Sequence, residues 1–409
     1  MFNWKIIILN IPIFIIIIDI TDYFFPNGEL IYLRSAFLFF VFFTFLIKYN
    51  NIYLDKVYKS FLIFYFYIFF VSLINSSDLN ITLTGNLSIF INTSYYLVAL
   101  NIFKTQHDIE KFRYWFVSIP LLFLINLIIF TGFKIGEPVY GAENSIRVGN
   151  LHHSRIYVGS LVVILSLVFA KYSNNKIRDI VLIGTLIIIL MLSMRRTALL
   201  IIIVSSVIYL ISNRNLRVFK YFIFIFIFIA LSYPLYEKQL SDIIEKRSSR
   251  IETTEDVLEE ETRYLEVVAV TEKIFSFKNM TYSLFGTEFL NSFGTYSTEE
   301  IKMPSDRILH TDYAVILHGA GLIGLLFYIN FILSIFLRMY NWILKKGLKN
   351  DISILYLMLL SSLIIVTISG SILNITFRTF FFIILGALNG FTINCISTRN
   401  KIYETSFNY

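Results

Sequence analysis

The sequence predicts an all-α polytopic membrane protein, with about twelve transmembrane helices and one large external loop that itself contains helices. Three observations predict it. Hydrophobic residues make up 56% of the 409-residue chain and charged residues only 15%, with a mean hydropathy of +0.71, a balance foreign to soluble globular domains. The apolar residues gather into runs such as IIILNIPIFIIIIDI, AFLFFVFFTFLI and FIFIFIFIA, separated by short charged connectors, as membrane-spanning helices in series require. The basic residues fall almost entirely on alternate connectors, the signature of a chain threaded back and forth.

Taken in order, the spans lie at roughly 5–20, 30–47, 60–74, 83–103, 114–131, 154–170, 180–193, 197–211, 219–233, 312–337, 352–370 and 377–394. Several fall short of the ~20 residues a bilayer needs, so the tyrosines and asparagines at their ends belong to the helices as well. The first run is followed by TDYFFPNGE, without a small-residue cleavage site, and reads as a retained span rather than a signal peptide. The chain thus divides into spans one to nine (1–233), an external loop (234–311), and spans ten to twelve with a cytoplasmic tail (312–409). Cys395 is the single cysteine, which excludes an intramolecular disulfide or a cysteine metal cluster.

Alternating the connectors collects nineteen Lys/Arg on one side, from Lys5 to Lys401, against four in the short connectors of the other: Lys134, Arg147, Arg195 and Arg196. The positive-inside rule makes the first side cytoplasmic and puts both termini there. The net charge of +7 is therefore a topology signal and gives no reason to expect nucleic acid. The 234–311 connector differs in kind, with nine Lys/Arg against fifteen Asp/Glu. Within it, TEDVLEEETRYLEVVAVTEKIF has a threonine start, acidic first turns, and Leu258, Leu265, Val268 and Ile274 at helical spacing, so it reads as a helix on the outer membrane face. A second external loop, GFKIGEPVYGAENSIRVGNLHHSR, joins spans five and six.

Arginines at the outer ends of spans are the first candidates for chemistry: Arg34, Arg155, Arg195, Arg196 and Arg378, with Arg147 in the shorter external loop. Snorkelling to headgroups accounts for any one of them. Five at one depth favour a shared anionic ligand, since guanidinium forks match phosphate oxygens. Arg263 stands one turn from both Glu259 and Glu266, and spacing alone reads it as part of a solvated ion pair. Of the five histidines, His310 lies at the outer surface, where an imidazole serves either as a general base or as a helix cap facing headgroups. His318, two turns deeper, reads as buried and hydrogen-bonded. No metal-ligand spacing, glycine-rich phosphate loop or nucleophile elbow occurs, so no metal, no cofactor and no ATP coupling is expected.

Three segments occur in a telling order: MRRTALL in a span-turn-span, TRYLEVVAVTEKIF followed by SLFGTEF in the loop, and HTDYAVILHGAGLIGLLFY at the loop exit. Together they resemble the O-antigen ligase and O-antigen polymerase superfamily over the C-terminal half. Ser193 is separated from Arg196 by Met194 and Arg195, and Thr311 stands where that family usually has asparagine. The resemblance implies a bacterial cytoplasmic-membrane glycosyltransferase whose substrate is an undecaprenyl-diphosphate-linked oligosaccharide. It makes His310, Arg263 and Arg196 catalytic, with Arg195, Arg147, Arg155, Arg34 and Arg378 on diphosphate or glycan. Partners would be the lipid bilayer and a chain-length regulator. A repeat-unit polymerase is the leading expectation, an O-antigen ligase acting on lipid A-core the close alternative, and a flippase of lipid-linked oligosaccharide the more distant one.

Overall fold

Helices start where the sequence supplies a side-chain acceptor for the unbonded first-turn amides. Asp55, Asp78, Asn175, Asn279, Thr311 and Asn350 each accept from a backbone N–H two or three residues on, at 2.9–3.3 Å. The computed structural model describes residues 3–25, 29–139, 145–151, 153–169, 172–173, 175–193, 195–212, 223, 226–248, 262–298, 301, 308–348, 350–370 and 375–406. Among these residues the chain is helical, with short 3-10 turns and no strand. The first helices are α1 (Trp4–Thr21), α2 (Glu29–Lys48), α3 (Lys56–Asn75), α4 (Leu79–Ile102), α5 (Gln106–Glu110) and α6 (Trp115–Gly132). They are followed by α7 (Val158–Phe169), α8 (Lys176–Leu192), α9 (Arg196–Ser212) and α10 (Tyr233–Ser248). The chain continues through α11 (Thr262–Phe275), α12 (Met280–Phe285), α13 (Asp312–Lys346), α14 (Asp351–Ser369) and α15 (Ile375–Ser406).

Seven segments are long and apolar enough to cross a bilayer: Trp4–Phe24, Leu30–Lys48, Lys56–Asn75, Gln106–Gly132, Asp312–Lys346, Asp351–Ser369 and Ile375–Ile396. Arg155–Phe169 and Arg196–Ser212 are apolar but shorter. The chain is accordingly a multi-pass helical protein by length and composition. Eleven of the twelve segments read from the sequence coincide with helices; of the ninth, 219–233, residues 223 and 226–233 are described, and 226–231 are helical. Helix α4 is the instructive exception to hydropathy, because it is long enough and too polar. Its Thr82, Asn86, Asn92, Ser94 and Asn101 are all buried.

Protein surrounds the second half of α4, residues 91–102, so its polar groups there find partners on other helices instead of facing lipid. Thr379 Oγ1 donates to Asn92 Oδ1 at 2.6 Å, and Asn389 Nδ2 to the Tyr96 hydroxyl at 2.6 Å. The GALNG sequence of α15 lets the two backbones close up. A Cβ on Gly386 would stand 2.2 Å from the Tyr96 carbonyl oxygen, and one on Gly390 2.4 Å from that of Leu100. This is the small-residue spacing that brings membrane helices together. On the other side, α3 and α13 interlock through aromatic pairs: Phe61 with Phe331, Phe64 with Tyr328, and Tyr67 with Phe327, at centroid distances of 5.1–5.5 Å.

The tenth predicted span reads as one continuous apolar helix, but α13 breaks at Gly321, with φ 64° and ψ −167°. The break is filled by backbone. The turn after α12 puts Gly286 (φ +70°) directly on residues 319–321, where an added Cβ would lie 2.4 Å from the Ala320 nitrogen. A Cβ on Gly321 would lie 2.3 Å from the Leu284 carbonyl. Carbonyls released by the break are taken up: the Thr287 N–H donates to His318 O at 2.7 Å and the Tyr67 hydroxyl to Ala320 O at 3.0 Å. A kink of this kind needs such compensation when no water is at hand.

Gly347 also has positive φ (+77°), yet nothing lies within 4 Å of its would-be Cβ. Gly347→Ala is therefore expected to cost about 1–3 kcal/mol from backbone strain alone. Gly286→Ala and Gly321→Ala add a clash with fixed backbone and are expected to cost well over ~3 kcal/mol. Thermal unfolding in detergent should place both far below Gly347→Ala, and equal midpoints would mean the two backbones are not in contact.

Candidate active site

The site grows out of the amphipathic helix α11. Its buried face runs through Glu266, Ala269, Val270 and Ile274, each 0% exposed, and packs on α12 and α13. Sequence spacing instead points inward along Leu258, Leu265, Val268 and Ile274. Leu265 and Val268 are half-buried, while Leu258 and the acidic start at 254–261 lie outside the described residues. The face is rotated because a carboxylate on it has found partners. The His310 backbone N–H donates to Glu266 Oε2 at 3.0 Å, and His310 Nδ1 lies 2.9 Å from Glu266 Oε1.

An acceptor-only carboxylate selects the tautomer with the proton on Nδ1. That leaves Nε2 as the basic nitrogen on a ring whose side chain is 36% exposed. Thr311 then caps α13 through its Oγ1, 3.3 Å from the Ala314 nitrogen, a task threonine and asparagine share. The expected pairing of Arg263 with Glu266 is not formed, since Glu266 serves His310. Arg263 is half-buried on α11, three residues from Glu266 and thus on the same side of the helix, about 4.5 Å along the axis. Glu259 lies outside the described residues.

Arg196 opens α9 and is exposed, Arg195 is half-buried, and Met194 between them and Ser193 lies outside the described residues. The next residue, Thr197, has its Oγ1 2.6 Å from Ser369 Oγ at the end of α14. Two residues back along α14, Thr367 meets the Tyr313 hydroxyl at 3.5 Å, and Tyr313 is three residues from His310. The α8–α9 turn and the start of α13 therefore occupy the same end of the bundle.

The remaining arginines are drawn inward. Arg34, 2% exposed, donates to the fully buried Asp19, which also accepts from Thr376 Oγ1 at 2.7 Å and faces the Arg155 guanidinium at 3.8 Å. This joins α1, α2, α15 and the turn before α7. Arg378, two residues beyond Thr376, is 5% exposed. It meets Ser88 Oγ at 3.5 Å and feels the opposite charge of buried Asp312, whose Oδ2 accepts from the Tyr328 hydroxyl at 2.9 Å. Arg147 donates to the Gly136 carbonyl, and its own backbone N–H donates to Thr131 Oγ1 at 2.9 Å. His318 is 1% exposed and spans two partners, with Nδ1 2.7 Å from the Tyr282 hydroxyl and Nε2 3.0 Å from Thr295 Oγ1. Its reading as a buried, hydrogen-bonded residue holds.

The sequence reading did not single out Asp19 or Asp312, and gave Glu266 the wrong partner. Asp19 carried a usable signal, because a carboxylate inside an isoleucine run demands a counter-charge. Glu266 shares the spacing of Ala269, Val270 and Ile274, which marks it as an acid on an apolar stripe. No group of three or more His, Cys, Asp and Glu that could hold a metal ion occurs among the described residues. The geometry provides an imidazole oriented by a buried carboxylate, with Arg263 three residues from that carboxylate on the same side of α11 and Arg196 at the same end of the bundle.

Removing one member of a buried ion pair leaves the other charged and desolvated, at about 3–5 kcal/mol. Asp19→Asn should cost the fold that much stability, read as a lower thermal midpoint, and Asp19→Asn with Arg34→Met should recover most of it. A double variant no better than the single would show that the pair is not the source of the loss.

Comparison with protein-family models gives no match to this chain, and none of the curated proteins matches it.

Proposed function

We propose that the chain is a polymerase of O-antigen or capsular repeat units, transferring glycan from undecaprenyl diphosphate to a sugar hydroxyl. The observation that carries this reading is the Glu266–His310 pair at 2.9 Å, with Arg263 on the adjoining turn of α11. His310 Nε2 takes the proton of the acceptor hydroxyl as its oxygen bonds to the anomeric carbon. The bond from that carbon to the diphosphate breaks, and the diphosphate leaves with the electron pair. Glu266, bonded at Nδ1, stabilises the imidazolium that results, much as a buried carboxylate does in a catalytic triad. Arg263 and Arg196, with Arg195, offset the charge gathering on the leaving diphosphate. The proton on His310 then passes to solvent.

In this reading Arg34 and Arg155, held by Asp19, and Arg378, in the field of Asp312, shape the floor of the site, and Arg147 holds its neighbouring connector. The nineteen-to-four division of basic residues supports cytoplasmic termini and a site on the outer face of the bacterial cytoplasmic membrane. A chain-length regulator would then meet the protein from that outer face.

The test uses purified protein and synthetic diphosphate-linked repeat units, with products resolved as a gel ladder. Wild type should lengthen glycan on its carrier. His310→Ala should slow transfer about 10²–10⁴-fold, and Arg263→Ala or Arg196→Ala about 10²–10³-fold. Glu266→Gln should lower kcat with KM little changed. Glycan delivered to lipid A-core instead would make the enzyme a ligase, and full-length polymer from His310→Ala would remove the base from the mechanism.

A further inference from the structure

Seven residues beyond Glu266, and so nearly two turns along the same face of α11, stands Lys273, about 10 Å further along the axis. It opens into a cleft of about 570 Å³ between the end of α11, the start of α12 and the last turn of α3. Lys278, Asn75, Asn279, Thr287 and Tyr282 line the cleft with it. The segment 234–311 is acidic overall, with nine Lys/Arg to fifteen Asp/Glu, yet among the described residues no carboxylate lines this cleft.

Lys273 is fixed in place. Lys273 Nζ donates to the Thr295 carbonyl at 2.6 Å and sits 5.2 Å from the centre of the Tyr282 ring, which leaves it two further N–H groups. Partial burial lowers its pKa from the ordinary lysine value. Neither Lys273 nor Lys278 forms an ion pair among the described residues. Asn279 Oδ1 accepts from the Tyr282 nitrogen at 3.1 Å, so its amide hydrogens remain for a ligand. Asn75 Nδ2 donates to Gly286 O at 3.2 Å, so its Oδ1 remains as an acceptor.

Amides and a hydroxyl on short stems beside two ammonium groups suit a polyol that carries a carboxylate. An anionic lipid headgroup is the competing ligand, given the exposed Phe275, Phe277 and Met280 nearby. A headgroup phosphate would use the lysines and leave the amides idle.

We propose that this cleft is a glycan subsite for an acidic sugar, a uronic-acid pyranose of the acceptor chain, with Lys273 and Lys278 on its carboxylate and Asn75, Asn279 and Thr287 on its hydroxyls. The proposal rests on reading His310 as the base of glycosyl transfer. α11 then serves as a ruler, holding an acidic unit at Lys273 while the attacking hydroxyl of the same chain reaches His310.

The experiment measures binding of trigalacturonate and of maltotriose to the full chain in phosphatidylcholine nanodiscs, independently of transfer. Trigalacturonate should bind wild type at least about tenfold more tightly than maltotriose, and Lys273→Gln or the exposed Lys278→Gln should each weaken it about tenfold. The double variant should bind the two probes alike. Equal binding of both probes by wild type, no binding of either, or an unaffected double variant overturns the subsite. Loss of trigalacturonate binding in phosphatidylglycerol nanodiscs would assign the cleft to anionic lipid instead. Intact binding in a chain that transfers no glycan would sink the polymerase reading and leave the acidic-sugar site standing.

Discussion

Backbone rests on backbone where the Gly286 turn meets residues 319–321, and the positions of the candidate catalytic groups follow from that contact. Side-chain packing tolerates adjustment, but two peptide planes separated by less than a Cβ do not. The break in α13 lets residues 312–320 change direction from the long apolar helix that follows. It carries Thr311 and His310 to α11 instead of along the continuing helix axis. His318 pins the same junction from the inside, one ring nitrogen on Tyr282 and the other on Thr295. The connector segment is thus fastened at three levels, by glycine contact, by a bridging imidazole, and by the Glu266 carboxylate on His310.

Charge is sorted within this frame. Arg34 and Arg155 share Asp19, Arg378 faces Asp312, and Arg147 rests on a main-chain carbonyl. These guanidinium groups tie helix ends together, where low dielectric makes an uncompensated charge costly. Arg263 and Arg196 lie at the rim, half-buried and exposed respectively. The two groups look alike in sequence, since each is an arginine near the end of an apolar run. They part only when the carboxylates are placed in space.

That separation marks the limit of what could be read from the chain. Apolar runs locate eleven of the twelve expected helices because a lipid-facing helix must advertise itself residue by residue. The break at Gly321 was written in HGAGLIG, but glycine is common enough in membrane helices for a continuous span to be the natural reading. Its cause lies thirty-five residues earlier, at Gly286, and no local pattern contains that contact. His310 was legible by position, whereas its partner Glu266 was assigned to a neighbour on its own helix. Local spacing favours the i,i+3 arginine, and the fold supplied a closer ligand from a residue 44 positions away.

Helix α4 has a consequence for how the protein is made. Its buried amides and hydroxyls are answered by α15, with Asn92 and Thr379 separated by 287 residues and Tyr96 and Asn389 by 293. During synthesis α4 is complete long before those partners exist. It must wait beside the ribosome's exit, or in contact with the insertion machinery, with its polar groups provisionally satisfied. The GALNG surface then closes over it once α15 has been made. A chain truncated before α15 would leave a helix too polar for lipid and too apolar for water, so α15 acts as the seal on α4.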